Sequence, residues 1–333
     1  METPKLLLCL VLIIFSIFLQ PSLSELCHPQ DKKVLLQIKK AFNNPYTLTS
    51  WDPQTDCCHW YCVQCDDKTH RITDLFVNYG DLAGPIPHQV GDLPFLETLD
   101  FHKNPNLTGP IPPAIAKLKK LRYLMITWTN VSGPIPDFIG EMDSLEFIFL
   151  SFNNLTGPIP SNIGKLPKLT GLRLDRNKLS GPIPDTFGEF KGDNFYLYLS
   201  HNQLSGKIPV SLGRKDFPFV DLSRNRLEGD ATPLFGSEKK MLEHLDLSRN
   251  LLEFDLSKVE LPERLSYLDL NHNKIFGSLP EGLTKLSLQQ LNVSYNRLCG
   301  KIPVGGELQT RFDYSAYFHN RCLCGAPLPS CKL

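Results

Sequence analysis

A motif of about 24 residues recurs along the chain and leaves few folds open to it. One copy reads Leu145-x-x-Ile148-x-Leu150-x-x-Asn153-x-Leu155-x-Gly157-x-Ile159-Pro160, and the next reads Leu169, Leu172, Leu174, Asn177, Leu179, Gly181, Ile183, Pro184. Later copies centre on Asn202, Asn225, Asn250, Asn273 and Asn296, and earlier ones put Gly80, Asn104 and Thr129 in the Asn place. These positions run from residue 80 to residue 296 with a mean step of 24 residues, and the copy with Asn104 carries one extra residue, Pro105. A period of this length marks a repeat array, in which each unit buries its apolar face only against its neighbours.

The spacing has a physical cause. Leu-x-x-Leu-x-Leu alternates as a strand with one buried face does. The Asn turns inward, where its amide can bond the backbone between rungs. Gly permits a sharp turn, and Pro stops helix continuation or further laddering. The pattern predicts a leucine-rich repeat solenoid of about ten units. A parallel sheet lines its concave face and short 3-10 or irregular turns its convex face. Ten rungs at about 4.8 Å each make a stack on the order of 45 Å.

The ends differ from the middle. Lys5, the apolar run Leu6–Leu19 and the small residues Ser22 and Ser24 read as a signal peptide over residues 1–24, cleaved after Ser24. No later stretch is long and apolar enough to span a bilayer, so a soluble, secreted chain is expected. Residues 25–70 and 304–333 are read as caps around repeats at 71–303, with a helix over Asp31–Phe42 in the first cap. Nine cysteines outside the leader fall in two groups: Cys27, Cys57, Cys58, Cys62 and Cys65, then Cys299, Cys322, Cys324 and Cys331. The secretory route favours disulfides. Zinc on Cys58, Cys62 and Cys65 is the competing reading, weakened by the scarcity of nearby His. Nine is odd, so one thiol is left over, and Cys62 is the expected one. Lys plus Arg equals Asp plus Glu at 35 each, and this balance argues against a dedicated nucleic-acid binder.

The run Leu155-Thr-Gly-Pro-Ile-Pro160 resembles the plant-specific class of leucine-rich repeat. With DCCHWYCVQCD (56–66), DLSRNRLEGDATPLFG (221–236), LNVSYNRLCGKIPVGG (291–306) and FHNRCLCGAPLPSC (318–331), the chain over residues 25–333 resembles plant polygalacturonase-inhibiting proteins. The resemblance implies secretion to the cell wall and inhibition of fungal endopolygalacturonases. It also implies no enzyme activity, cofactor or metal, and a monomer is expected. Disulfides local to each cap, Cys27–Cys57, Cys58–Cys65, Cys299–Cys322 and Cys324–Cys331, agree with the family's cap pattern.

Within each unit the third, fifth, seventh and eighth positions are read as facing away from the core on the strand side. Two features emerge. Tyr123, Met125, Trp128, Phe147, Phe149, Phe152, Tyr196 and Tyr198 make an aromatic and apolar field, the expected anchor of a protein partner. Asp221 and Asp246 stack in one column beside Asp269, while Arg176, His201, Arg224, Arg249 and His272 stack in another. The acids, with Asp175, are read as meeting a basic enzyme. The basic column is read as holding pectin or polygalacturonate. Family resemblance matches Asp175 and Asp221 to acidic places, and Phe149 replaces an acid found in some members. Asp221 and Asp246 fall near the spacing of a retaining glycosidase pair, but on an open arc rather than in a desolvating cleft. Sequons place glycans at Asn106, Asn130, Asn154 and Asn292. The alternatives are a receptor-like module for a peptide or pectin fragment, and an ice-binding protein using the small polar seventh column.

Overall fold

The computed structural model describes residues 26–192 and 194–331, so the signal-peptide reading lies outside the described residues. Among these residues an eleven-stranded sheet runs the length of the molecule. Its first strand, β1 (Val63–Cys65), pairs antiparallel with β2 (Ile72–Asn78), and every later pairing in that sheet is parallel and in chain order. The repeat Leu and Ile side chains behind it form one continuous core, with Leu99, Leu124, Ile148, Leu172, Leu197 and Leu245 fully buried. Short 3-10 turns such as Ser161–Lys165 and Asp185–Glu189, each preceded by Pro, make up the opposite side.

A second sheet was not foreseen. The Leu-x-Gly segments pair with one another from Ala83–Pro85 to Leu251–Leu252, eight parallel strands in order. The sequence marks Gly as a sharp turn and Pro as the end of laddering. The Gly does turn, with φ near +80° (Gly157 φ 78°, Gly181 φ 81°), yet it still pairs with the next rung. The Pro after it can lie in the ladder too, as Pro85 and Pro134 do, and it is the second Pro, such as Pro160, that starts the convex turn.

Buried Asn side chains tie the rungs together. Asn225 Nδ2 donates to the carbonyls of Leu199, Leu222 and Ser223, and its Oδ1 accepts from the Leu204 N–H at 3.0 Å. The pattern reaches one rung further than the ten copies, since Asn320 bonds Val293, Tyr317 and Leu298 in the same way.

The caps close both ends. Helix α1 (Pro29–Ala41) starts two residues before the expected Asp31, because His28 Nδ1 accepts from the Gln30 N–H and Pro29 opens the first turn. It buries Val34, Leu35 and Ile38, and Asp31 is held by a bidentate pair with Arg71 at 2.7 and 2.8 Å. Disulfides join Cys27 to Cys57, Cys58 to Cys65, Cys299 to Cys322 and Cys324 to Cys331. Two of the three sulfurs in the zinc reading are thereby consumed. Cys62 is the free thiol, buried, and desolvation pushes it up to about 12. No helix of the described residues is long and apolar enough to cross a membrane.

Candidate partner-binding face

Strand register builds the concave columns. Asp100, Met125, Phe149, Arg173, Tyr198, Asp221, Asp246, Asp269 and Asn292 fall in one row. Tyr123, Phe147, Gly171, Tyr196, Phe219, His244, Tyr267 and Gln290 fall in a parallel row. The strands of later units cover only the third to fifth positions, as in Phe147–Phe149 and His244–Asp246. Beyond them the extended alternation ends, which corrects the reading of the seventh position. Ser151, Ser200, Ser223, Ser248 and Ser294 are buried and form a floor rather than a presented row. The eighth residue then turns left-handed: from Tyr79 to Tyr295 all ten have φ between 53° and 57°. That turn lifts Arg176, Arg224 and Arg249 into solvent.

The aromatic field is assembled by stacking. Tyr123 stacks on Phe147 at 5.4 Å, Phe149 meets Phe147 edge-on at 5.5 Å, and Trp128 stacks on Phe152 at 3.6 Å. Gly171 makes room for this arrangement, since a Cβ there would lie 2.8 Å from Phe147 Cδ1. Trp128 and Tyr196 remain 46 % and 44 % exposed. Tyr198 belongs instead to a second stack that sequence reasoning missed: Tyr198, Phe219, His244 and Tyr267 follow each other at 4.2, 3.9 and 3.8 Å. Its signal was present in the third column as Phe219, His244 and Tyr267.

The acids are more constrained than their column suggests. Asp221 Oδ1 accepts from Ser223 N–H and Oγ, Asp246 Oδ1 from Ser248 N–H, and Asp269 Oδ1 from Asn271 N–H and Nδ2. Burial, with the like charges of Asp221 and Asp269 adding to it, pushes Asp246 up to about 7. Burial also raises Asp269 and Asp175. Asp175, read as an exposed contact, is only 6 % exposed and sits 3.6 Å from Arg173 Nε. In the basic row, burial first and neighbouring Arg charges second lower His201 and His272, so at neutral pH the positive charge rests on Arg176, Arg224 and Arg249. Both rows line one open trough.

The sequons split as their positions suggested. Asn106, Asn130 and Asn154 each begin a strand of the second sheet, along one rim. Asn154 Nδ2 donates to Asn130 Oδ1, and Asn130 Nδ2 to the Pro105 carbonyl. Asn292 continues the acid row, its Oδ1 accepting from Ser294.

A capped solenoid with stacked parallel rungs, buried Asn ladders and a decorated concave sheet defines a leucine-rich repeat protein. The chain matches the family described as Leucine rich repeat N-terminal domain at 28–66, and Leucine Rich Repeat at 144–166, 168–190, 195–214, 264–286 and 287–306. It is 64 % identical over 320 residues to a polygalacturonase inhibitor of Pyrus communis, covering 96 % of each chain. It is 62 % identical over 335 residues to one of Vitis vinifera, covering 100 % of each. The chain belongs to the polygalacturonase inhibitor family. Among solved structures, a plant ice-binding protein superposes with a TM-score of 0.89 at 52 % identity, covering 92 % of this chain and 98 % of that one.

Proposed function

We propose that this chain is a secreted plant defence protein that binds fungal endopolygalacturonases with its concave face and so limits pectin degradation in the cell wall. The observation that carries the reading is full-length similarity above 60 % to polygalacturonase inhibitors. The face supports it with a stacked aromatic field beside a charged trough. Phe147, Phe149, Phe152, Trp128 and Tyr196, with Tyr123 and Met125 in the same two rows, supply area that can be buried centrally. Asp221 and Asp246 at the trough's edge orient a partner whose own substrate is a polyanion. Inhibition is then steric: the docked arc covers the cleft mouth and does no chemistry. The acids fit no catalytic role, since each is tied to the residue two places on and lies on an open surface.

Arg176, Arg224 and Arg249 recur at about one strand spacing and are proposed to hold polygalacturonate, with guanidinium paired to carboxylate. The ice-binding alternative loses its main support, because the small hydroxyl column is buried. The test is an inhibition panel of the purified protein against several fungal endopolygalacturonases, with freezing hysteresis measured in parallel. No inhibition of any enzyme in the panel overturns the reading.

A further inference from the structure

The concave face holds a recess that the columns alone do not reveal. Its floor is Thr127 and Ser151, with Met125 and Phe149 of the fifth row on one side and Trp128 and Phe152 of the eighth on the other. Asp100 and His102 close one end and Arg173 the other. The recess holds about 210 Å³, below the roughly 300–1,000 Å³ of pockets that take drug-sized ligands. It fits one ring rather than a polymer.

Its polar groups are left wanting. The Arg173 guanidinium makes no hydrogen bond among the described residues. Its buried Nε is unpartnered, and the nearest acid, the buried Asp175, is 3.6 Å away with Oδ1 equally unpartnered. Burial pushes Asp100 up to about 6, against one opposing hydrogen bond from Asn78. His102 uses Nδ1 on Thr127 Oγ1 at 2.8 Å and is held neutral by burial first and Lys103 second, so Nε2 remains for a ligand. A fitting ligand therefore carries an anion at one end, hydroxyl groups at the other, and C–H surface between. An aromatic side chain of a protein partner would fill the walls but give the buried Nε of Arg173 no acceptor, leaving the guanidinium only its long contact with Asp175 at 3.6 Å and the Tyr198 ring at 4.5 Å.

We propose that this recess binds a single acidic sugar ring, a hexuronate, with its carboxylate on Arg173, its hydroxyls on Asp100 and His102, and its C–H bonds against Phe149 and Trp128. The site is distinct from the Arg176–Arg224–Arg249 row, whose members do not line it. It borrows from the pectin reading only the choice of probe. The experiment is saturation-transfer NMR and calorimetry on the full chain alone, with galacturonate as ligand and galactose as the neutral control. Galacturonate should bind saturably and galactose should not. Arg173→Met should weaken galacturonate by about tenfold or more, the loss of one charge-assisted contact. Met125→Trp should abolish binding by filling the recess, and Lys165→Ala, in a convex turn, should leave it unchanged. Unfolding midpoints check each variant, and if Met125→Trp does not fold, Arg173→Met decides. Equal response to both sugars, no saturable binding, or a loss caused by Arg224→Ala and not by Arg173→Met overturns the proposal. Because no enzyme is present, a protein that inhibits polygalacturonase yet ignores galacturonate overturns the recess alone. One that binds galacturonate through Arg173 but inhibits nothing supports the recess and overturns the inhibitor reading alone.

Discussion

At the scale of single residues, the Asn ladder and the acid row behave oppositely on removal. Asn225→Ala strands the buried N–H of Leu204 and three carbonyls that Asn225 serves. The expected loss is on the order of 3 kcal/mol by denaturant unfolding, since buried groups left unpaired cost about 1–3 kcal/mol each and some relax. Asp246 works the other way. Its folded pKa of about 7 lies above the 3.8 of an ordinary Asp, so its contribution to stability is complete below about pH 4 and is lost as pH rises to 7. His244, lowered from 6.5 to about 4, contributes above pH 6.5 and loses that contribution as pH falls through 4. The two oppose each other across the same window, so a flat wild-type profile conceals both. Asp246→Asn should gain stability over wild type at pH 8, and the gain should vanish by pH 4. Inhibition should respond in the same sense: Asp246→Asn costs little at pH 5, where the acid is already neutral, and more at pH 8. A variant with equal stability to wild type at both pH values refutes the assignment.

At the scale of elements, legibility followed the reach of simple alternation. The third and fifth columns were readable because Phe147–Phe149 and its equivalents are extended strand, where parity decides the face. In the later units the seventh was misread because the chain has left the strand by then, and parity no longer applies. Asp175 was misplaced for the same reason. The second sheet was hidden because Gly and Pro are ordinarily strand breakers, whereas here the Gly pairs, and at Pro85 and Pro134 the following Pro does as well. This places a demand on the Gly positions. Gly157 has open space around its Cβ direction, with Pro134 Cβ at 3.9 Å, so backbone conformation alone opposes a side chain. Gly157→Val should therefore lower stability by about 1–3 kcal/mol, the range for a strained φ/ψ, while Gly157→Asn should cost less. Equal melting of the two variants refutes the backbone explanation.

At the scale of the whole molecule, stability is a sum over neighbours, and the ends are held by their caps. Replacing Cys299 and Cys322 by Ser removes the bond that fastens the last full rung to its cover. The expected loss is roughly 2–5 kcal/mol, and it should be local. Hydrogen exchange should show amides of residues 290–301 losing protection while those of 145–180 keep theirs. Uniform loss along the chain would mean that the array melts as one unit. The aromatic anchors face different odds: Phe149→Ala should weaken inhibition of a susceptible enzyme by about 2 kcal/mol or more, and Asp221→Ala by less. Full potency in both moves the contact elsewhere.

The left-handed turn at every eighth position has a bearing on how such a molecule can change over generations. Ten residues from Tyr79 to Tyr295 share one unusual backbone conformation, yet they include Tyr, Lys, Trp, Phe, Arg and His, and none is β-branched. The strain of the turn belongs to the scaffold and is the same for nearly any side chain without a branch at Cβ. Exchanging one of these residues for another therefore adds no backbone strain, and loses only ring contacts such as Trp128 on Phe152, while rewriting what the arc displays. Recognition can drift at these positions, rung by rung, without putting the architecture at risk.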